Sequence, residues 1–147
     1  MNNDFTTAIE VEQSPGAVFD AITHPEHWWS GEVEGSATAL GDEFVYRYKD
    51  FHLSKQKVVE LEPGKKVVWL VTDSRINYVE DRDEWTGTKI SFEISEQEGK
   101  TRLLFTHTGL HPEIECFDSC STSWTSLIRL SLVSLITAGK GEKLVLA

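Results

Sequence analysis

The sequence predicts an α+β domain: a curved antiparallel β-sheet wrapped around a long C-terminal α-helix, with two short helices after the first strand. Three observations carry this. Several segments alternate apolar and polar residues with the period of a strand, and two of the junctions between them read as hairpin turns. The segment over about 113–137 carries apolar residues at helical spacing. The chain has 147 residues, the size of a single domain, so 1–147 is read as one unit. A helix with an apolar stripe must bury it, and here the available surface is a sheet face that curls around it.

The elements follow in order. Over residues 4–12, Phe5, Ile9 and Val11 share one parity and Ala8 falls one step out of phase, which reads as a strand. Ser14-Pro15 supplies an N-cap and a first-turn proline for a helix over about 15–22, with Val18, Phe19 and Ile22 on one side. Thr23-His24-Pro25 stops it, because a residue before proline is driven from the helical region, and a second short turn runs from Glu26 to Trp29. After Gly31 the chain turns strand-like. Phe44, Tyr46 and Tyr48 alternate with Val45 and Arg47, and another run covers about 52–61.

Leu61-Glu62-Pro63-Gly64-Lys65 makes a hairpin turn into Val67–Val71, where Val67, Trp69 and Val71 share one face and Val68 and Leu70 the other. Burial on both faces is expected there. Residues 72–87 are charged and aperiodic, an irregular, partly exposed excursion with room for a short strand, and they read as a lid or rim. Thr88–Ser95 carries Ile90, Phe92 and Ile94, Glu98-Gly99-Lys100 turns, and Arg102–His107 returns with Leu103 and Phe105 on one face. The terminal helix presents Phe117, Cys120, Trp124, Ile128 and Leu135 and is stopped by Gly139 and Gly141.

Composition excludes several functions. Hydrophobic residues make up 39% and charged residues 26%, with five tryptophans, which is a globular composition and no disordered tract. Fourteen basic against 24 acidic residues leave a net charge of −10, which repels nucleic-acid backbones and anionic membrane surfaces. The N-terminus Met-Asn-Asn-Asp-Phe has neither a basic nor an apolar signal region, and no run spans a bilayer. Cys116 and Cys120, four apart on one helix, read as reduced thiols, so a cytoplasmic location is expected.

Aromatic residues projecting from the curved sheet would hold it off the helix and leave an interior groove. At this point the sequence resembles a known family, the activator of Hsp90 ATPase homologue 1-like proteins of the START-like (polyketide cyclase/Bet v 1-like) superfamily. The resemblance spans essentially the whole chain. It rests on Pro15-Gly16-Ala17-Val18-Phe19-Asp20-Ala21-Ile22, His27-Trp28-Trp29, Val67-Val68-Trp69-Leu70-Val71, Glu84-Trp85-Thr86-Gly87-Thr88 and Phe105-Thr106-His107-Thr108-Gly109-Leu110. The ending, from Glu115-Cys116-Phe117-Asp118 through Trp124 to Gly141, resembles the bacterial single-domain branch. The resemblance implies a helix-grip fold and a cavity that in related members takes apolar small molecules. The eukaryotic namesake contacts a chaperone ATPase, but its stimulating N-terminal domain has no counterpart in this sequence, so the resemblance does not carry the chaperone role over.

Candidate chemistry is sparse. His107, His111, Cys116 and Cys120 are metal-competent types, but their spacings match no common zinc module, Pro112 interrupts the path, and Cys120 falls on the apolar stripe. Buried thiols and a strand-end histidine are preferred, and no metal or cofactor is expected. No nucleophile elbow, zincin motif or phosphate loop occurs. Cyclase- or dehydratase-like acid–base work could draw on His107, Tyr46, Glu84 or His52, though each is more often structural. The candidate ligand-lining residues are Trp28, Trp29, Phe44, Tyr46, Trp69 and Trp85, with Phe92, Phe105, His107, Phe117, Trp124 and Ile128. The expected function is a non-enzymatic module that binds a small apolar or amphipathic molecule. The alternatives are a cyclase- or dehydratase-type enzyme using the same cavity and a partner-binding domain that acts on a chaperone or forms a homodimer.

Overall fold

In the computed structural model, which describes residues 4–29, 31–48, 52–76, 85–110, 117–139 and 141, the alternating segments form a single antiparallel sheet. Its strands are β1 (Phe5–Val11), β2 (Glu32–Gly35), β3 (Glu43–Tyr48), β4 (His52–Glu62), β5 (Lys66–Ile76), β6 (Lys89–Gln97) and β7 (Lys100–Thr108). They lie in the order β1-β7-β6-β5-β4-β3-β2, so the first strand pairs with the last. Register shifts in β4 between Lys55 and Gln56 and between Val58 and Glu60 bend that strand and add to the curl of the sheet.

Each inward row follows from the two-residue period. Phe44, Tyr46 and Tyr48, then Ser54, Gln56 and Val58, then Val67, Trp69 and Val71 are all buried. On the outer face Val68 is buried too and Leu70 half-buried, so the expectation of two covered faces in β5 holds for the valine and partly for the leucine. The β6–β7 turn places Glu98 at φ 53° and Gly99 at φ 81°, the left-handed pair that a two-residue hairpin requires.

Helix α1 (Pro15–Ile22) starts where the sequence indicates: Ser14 is extended, and its Oγ accepts from the Ala17 N–H at 3.2 Å. It packs on β5, β6 and β7 through the fully buried Val18 and Ile22. A 3₁₀ turn (Pro25–His27) is the second short helix and delivers Trp28 and Trp29 to the interior. The terminal helix has three sections: α2 (Phe117–Ser126), a π-helical stretch (Leu127–Leu132) and α3 (Val133–Ala138). Cys120, Trp124, Ile128, Leu132 and Ile136 form its buried stripe, Leu130 points outward, and Gly139 at φ 79° ends it.

One sequence-based expectation needs correction, and two observed features lie beyond what the sequence predicts. Residues 72–76, read as the start of the irregular excursion, continue β5, because β4 offers partners as far as His52, opposite Ile76. Its charges Asp73 and Arg75 stay outside while Ser74 between them is buried, so the inward position is held by a serine that apolar patterning does not mark. The short edge strand β2 was not anticipated. The π-helical stretch, with its wider turn, leaves no trace in the apolar spacing. Residues 113–116 of the expected helix and 77–84 of the excursion lie outside the described residues.

Candidate functional site

The interior between sheet and helix is built of aromatic rings. The 3₁₀ turn supplies Trp29, whose ring centroid lies 4.4 Å from Tyr46, 5.7 Å from Phe44, 5.8 Å from Trp69 and 5.5 Å from Trp124. Tyr46 continues to His52 at 5.5 Å, and His52 to Trp85 at 4.5 Å. Trp85 stacks on Trp124 at 5.8 Å with an interplanar angle of 11°. Trp29, Tyr46, His52, Trp85 and Trp124 therefore close a circuit that joins β3, β4, the segment before β6, the terminal helix and the 3₁₀ turn. Below it, Trp69, Phe92 and Phe105 contact one another in series, and Phe105 reaches Trp124 at 4.6 Å.

One end of this interior is polar. His107 is completely buried, and both ring nitrogens are engaged: the Trp124 indole Nε1–H donates to Nδ1 at 3.0 Å, and Nε2 lies 2.8 Å from Thr88 Oγ1. An indole can only donate, so Nδ1 is the acceptor and the proton sits on Nε2. Thr88 then accepts from Nε2–H and donates its own hydroxyl hydrogen bond to the Trp85 carbonyl at 2.6 Å. This chain links helix, β7 and the start of β6 and fixes the neutral tautomer. Burial, with nearby His52 as a smaller cause, holds the His107 imidazole down at about 3.

His52, Ser54 and Gln56 extend the polar end along β4. The His52 Nε2 lies 3.0 Å from Ser54 Oγ, which also accepts a short bond from the Gln56 amide. Burial lowers His52 as well, although its surface is half-buried rather than enclosed. Burial raises the Tyr46 phenol, with Tyr48 adding to the shift. The Gly31 backbone lies beside Tyr46, yet the hydroxyl has no hydrogen bond of normal geometry. The indole N–H groups of Trp28, Trp29, Trp69 and Trp85 and the Gln56 carbonyl oxygen are likewise buried without a partner. Only Trp124, of the five tryptophans, has its indole N–H bonded.

Every ligand-lining candidate lies in this core except Phe117, which packs half-buried at the start of α2. Ile128 is fully buried in the π-helical stretch. Trp85 packs inward, while its neighbour Glu84, like His111 and Cys116, falls outside the described residues. Among the described residues no group of three His, Cys, Asp or Glu could hold a metal, and Cys120 is buried in the helix stripe. Clefts of about 420 and 460 Å³ open to solvent at the hairpin end of the sheet, around Lys65, Lys66 and Arg102 and around Glu98 and Lys100. Neither involves the aromatic circuit.

Sequence reasoning missed Ser54, Gln56, Ser74 and Thr88. The signal for the first two is their inward parity with Val58, but the opposite parity carries Leu53, Val59 and Leu61 among lysines, so alternation does not say which face is buried.

Residues 12–136 match the family described as activator of Hsp90 ATPase homolog 1-like protein. The chain belongs to that family. The Aha1 dimer from Colwellia psychrerythraea, known from a solution structure, is 29% identical, with a TM-score of 0.74 over 94% of this chain and 98% of that one. MLL2253 from Mesorhizobium loti matches at 15% identity and TM-score 0.70 over 92% and 98% of the two chains. DynU16, from the dynemicin biosynthetic locus, matches at 13% and 0.68, where this chain covers 51% of the other. At these last two identities the likeness shows the fold. A comparison with curated proteins finds no match. As a family member the chain has the helix-grip architecture that its motifs imply, and no helix among the described residues is long and apolar enough to cross a membrane.

Proposed function

We propose that this protein binds a small apolar or amphipathic molecule against the aromatic interior between the curved sheet and the terminal helix. One observation carries the reading: buried indole N–H groups and a phenol without partners lie within a continuous aromatic surface. Leaving such groups unpaired costs about 1–3 kcal/mol each, and a ligand with a polar tip would recover part of that cost. Burying an apolar ligand body contributes roughly 25 cal/mol per Å², against the cost of ordering it. Acid–base catalysis at His107 finds no support in the geometry, since neither ring nitrogen is free to exchange a proton with a substrate.

The test is titration of the full chain with N-phenyl-1-naphthylamine, an uncharged apolar fluorophore, read by energy transfer from the interior tryptophans. Saturable transfer is expected, and Trp124→Ala should change the affinity while costing about 3–5 kcal/mol of stability. Transfer that never saturates, or that Trp124→Ala leaves untouched in a folded protein, would overturn the reading. The Aha1 from Colwellia psychrerythraea is a dimer, and at 29% identity we extend self-association to this chain. Light scattering should then give twice 16.6 kDa, and the monomer mass would refute it.

A further inference from the structure

We propose that the interior site selects neutral carbonyl compounds, molecules that offer hydrogen-bond acceptors and carry no charge. The inference rests on the binding reading above and goes further by naming the ligand chemistry. It follows from the sign of the unpaired groups. Trp28, Trp29, Trp69 and Trp85 each present an N–H that can only donate, and Tyr46 adds a hydroxyl proton. Against them stands one unpaired acceptor in the same region, the Gln56 carbonyl oxygen. Turning the Gln56 amide over would let that oxygen accept from Ser54 and leave the NH₂ unpaired, which increases the surplus of donors. The remaining unpaired oxygen, on Gln13, belongs to the junction between β1 and α1.

Charge is excluded by the same surroundings. Among the described residues no Asp, Glu, Lys or Arg is buried, so an interior ion would have no counter-ion. His107 cannot supply one, because its tautomer is committed to Trp124 and Thr88. A cation would also face the positive ends of the N–H dipoles, although the aromatic circuit and the net charge of −10 favour cations at longer range. An anion would enter against that net charge. What remains is a neutral acceptor. Trp29 and Trp85 lie on either side of Trp124, and Tyr46 lies next to Trp29, which places three of the donors on the aromatic circuit.

The test uses the whole chain and four probes on one scaffold: 2-acetylnaphthalene, its isostere 2-isopropenylnaphthalene, 1-(2-naphthyl)ethylamine and 2-naphthoate. Affinities come from calorimetry, and ¹⁵N-indole resonances are assigned by single Trp→Phe variants. The ketone should bind about tenfold tighter than the hydrocarbon, the gain expected from about one net hydrogen bond to a buried donor. The Trp29 or Trp85 indole proton should move downfield with the ketone and stay with the hydrocarbon, while that of Trp124 stays with both. Trp85→Phe or Tyr46→Phe should reduce the ketone's advantage and leave the hydrocarbon within about twofold. Should those variants unfold, the wild-type indole shifts decide alone. Equal affinity for ketone and hydrocarbon overturns the carbonyl selectivity but leaves the binding reading standing. Preference for the amine or the naphthoate overturns neutrality. No binding of any probe, with indole signals unmoved, overturns both readings.

Discussion

His107 is the residue on which the polar end turns. Its folded-state value near 3 lies below the ordinary 6.5, so the unfolded chain binds more protons between those limits. Stability is therefore fully present above about pH 6.5 and is lost as pH falls toward about 3, by an amount on the order of a few kcal/mol. Urea denaturation across that range should show the loss, and His107→Gln, which cannot titrate, should remove roughly half of it, because burial holds His52 down at about 4 and that group contributes a similar slope over most of the window. An unchanged slope in His107→Gln would place the titrating group elsewhere. Trp124→Phe keeps a ring but strips the Nδ1 acceptor of its donor, and should cost about 1–3 kcal/mol in the same assay. Little of this chain was visible in advance. The spacing of His107 and Trp124 shows neither that they meet nor that Thr88 completes the link, because the three lie on different elements.

The elements themselves were largely legible. The Ser14-Pro15 start of α1 is local chemistry, a hydroxyl accepting from an N–H three residues on, and Ser14→Ala should cost about 1 kcal/mol in thermal denaturation. Gly31 is different in kind. A Cβ there would lie 2.1 Å from the Arg47 carbonyl oxygen and 2.9 Å from the Tyr46 ring, so the backbone passes too close for any side chain. Gly31→Ala should displace β2 from β3 or move Tyr46, with a stability loss above about 2 kcal/mol and an altered Tyr46 environment in NMR. A wild-type spectrum and unchanged stability would contradict that approach. The π-helical stretch shows what apolar spacing along a helix does not carry. Ser131 within it donates to the Trp28 carbonyl at 2.6 Å, a contact between residues 103 apart that leaves no mark on local apolar periodicity.

At the scale of the whole molecule, self-repulsion follows from 24 acids against 14 bases. Screening should relieve it, so 0.5 M NaCl should raise the melting temperature by roughly 2–4 °C over low salt. A fall in melting temperature would mean that attractive pairs dominate, against the long and exposed Lys55–Glu43 and Lys66–Glu60 contacts of 3.8 Å. The wrapping of sheet around helix joins distant parts of the chain: β1 pairs with β7, and the Arg129 guanidinium donates to Thr7 Oγ1 at 3.1 Å and the Ala8 carbonyl at 3.3 Å.

By itself the sequence determined most of the element types, the two hairpins, the cap of the first helix, the apolar stripe with Trp124 and the family, since each depends on residues near one another or on a recurring pattern. Only the tertiary structure decided the closed aromatic circuit, the committed tautomer of His107 and the surplus of buried donors. Those depend on strand register and on which face of β4 turns inward, and polar residues on both sides of a strand do not specify that face without the neighbours that cover it.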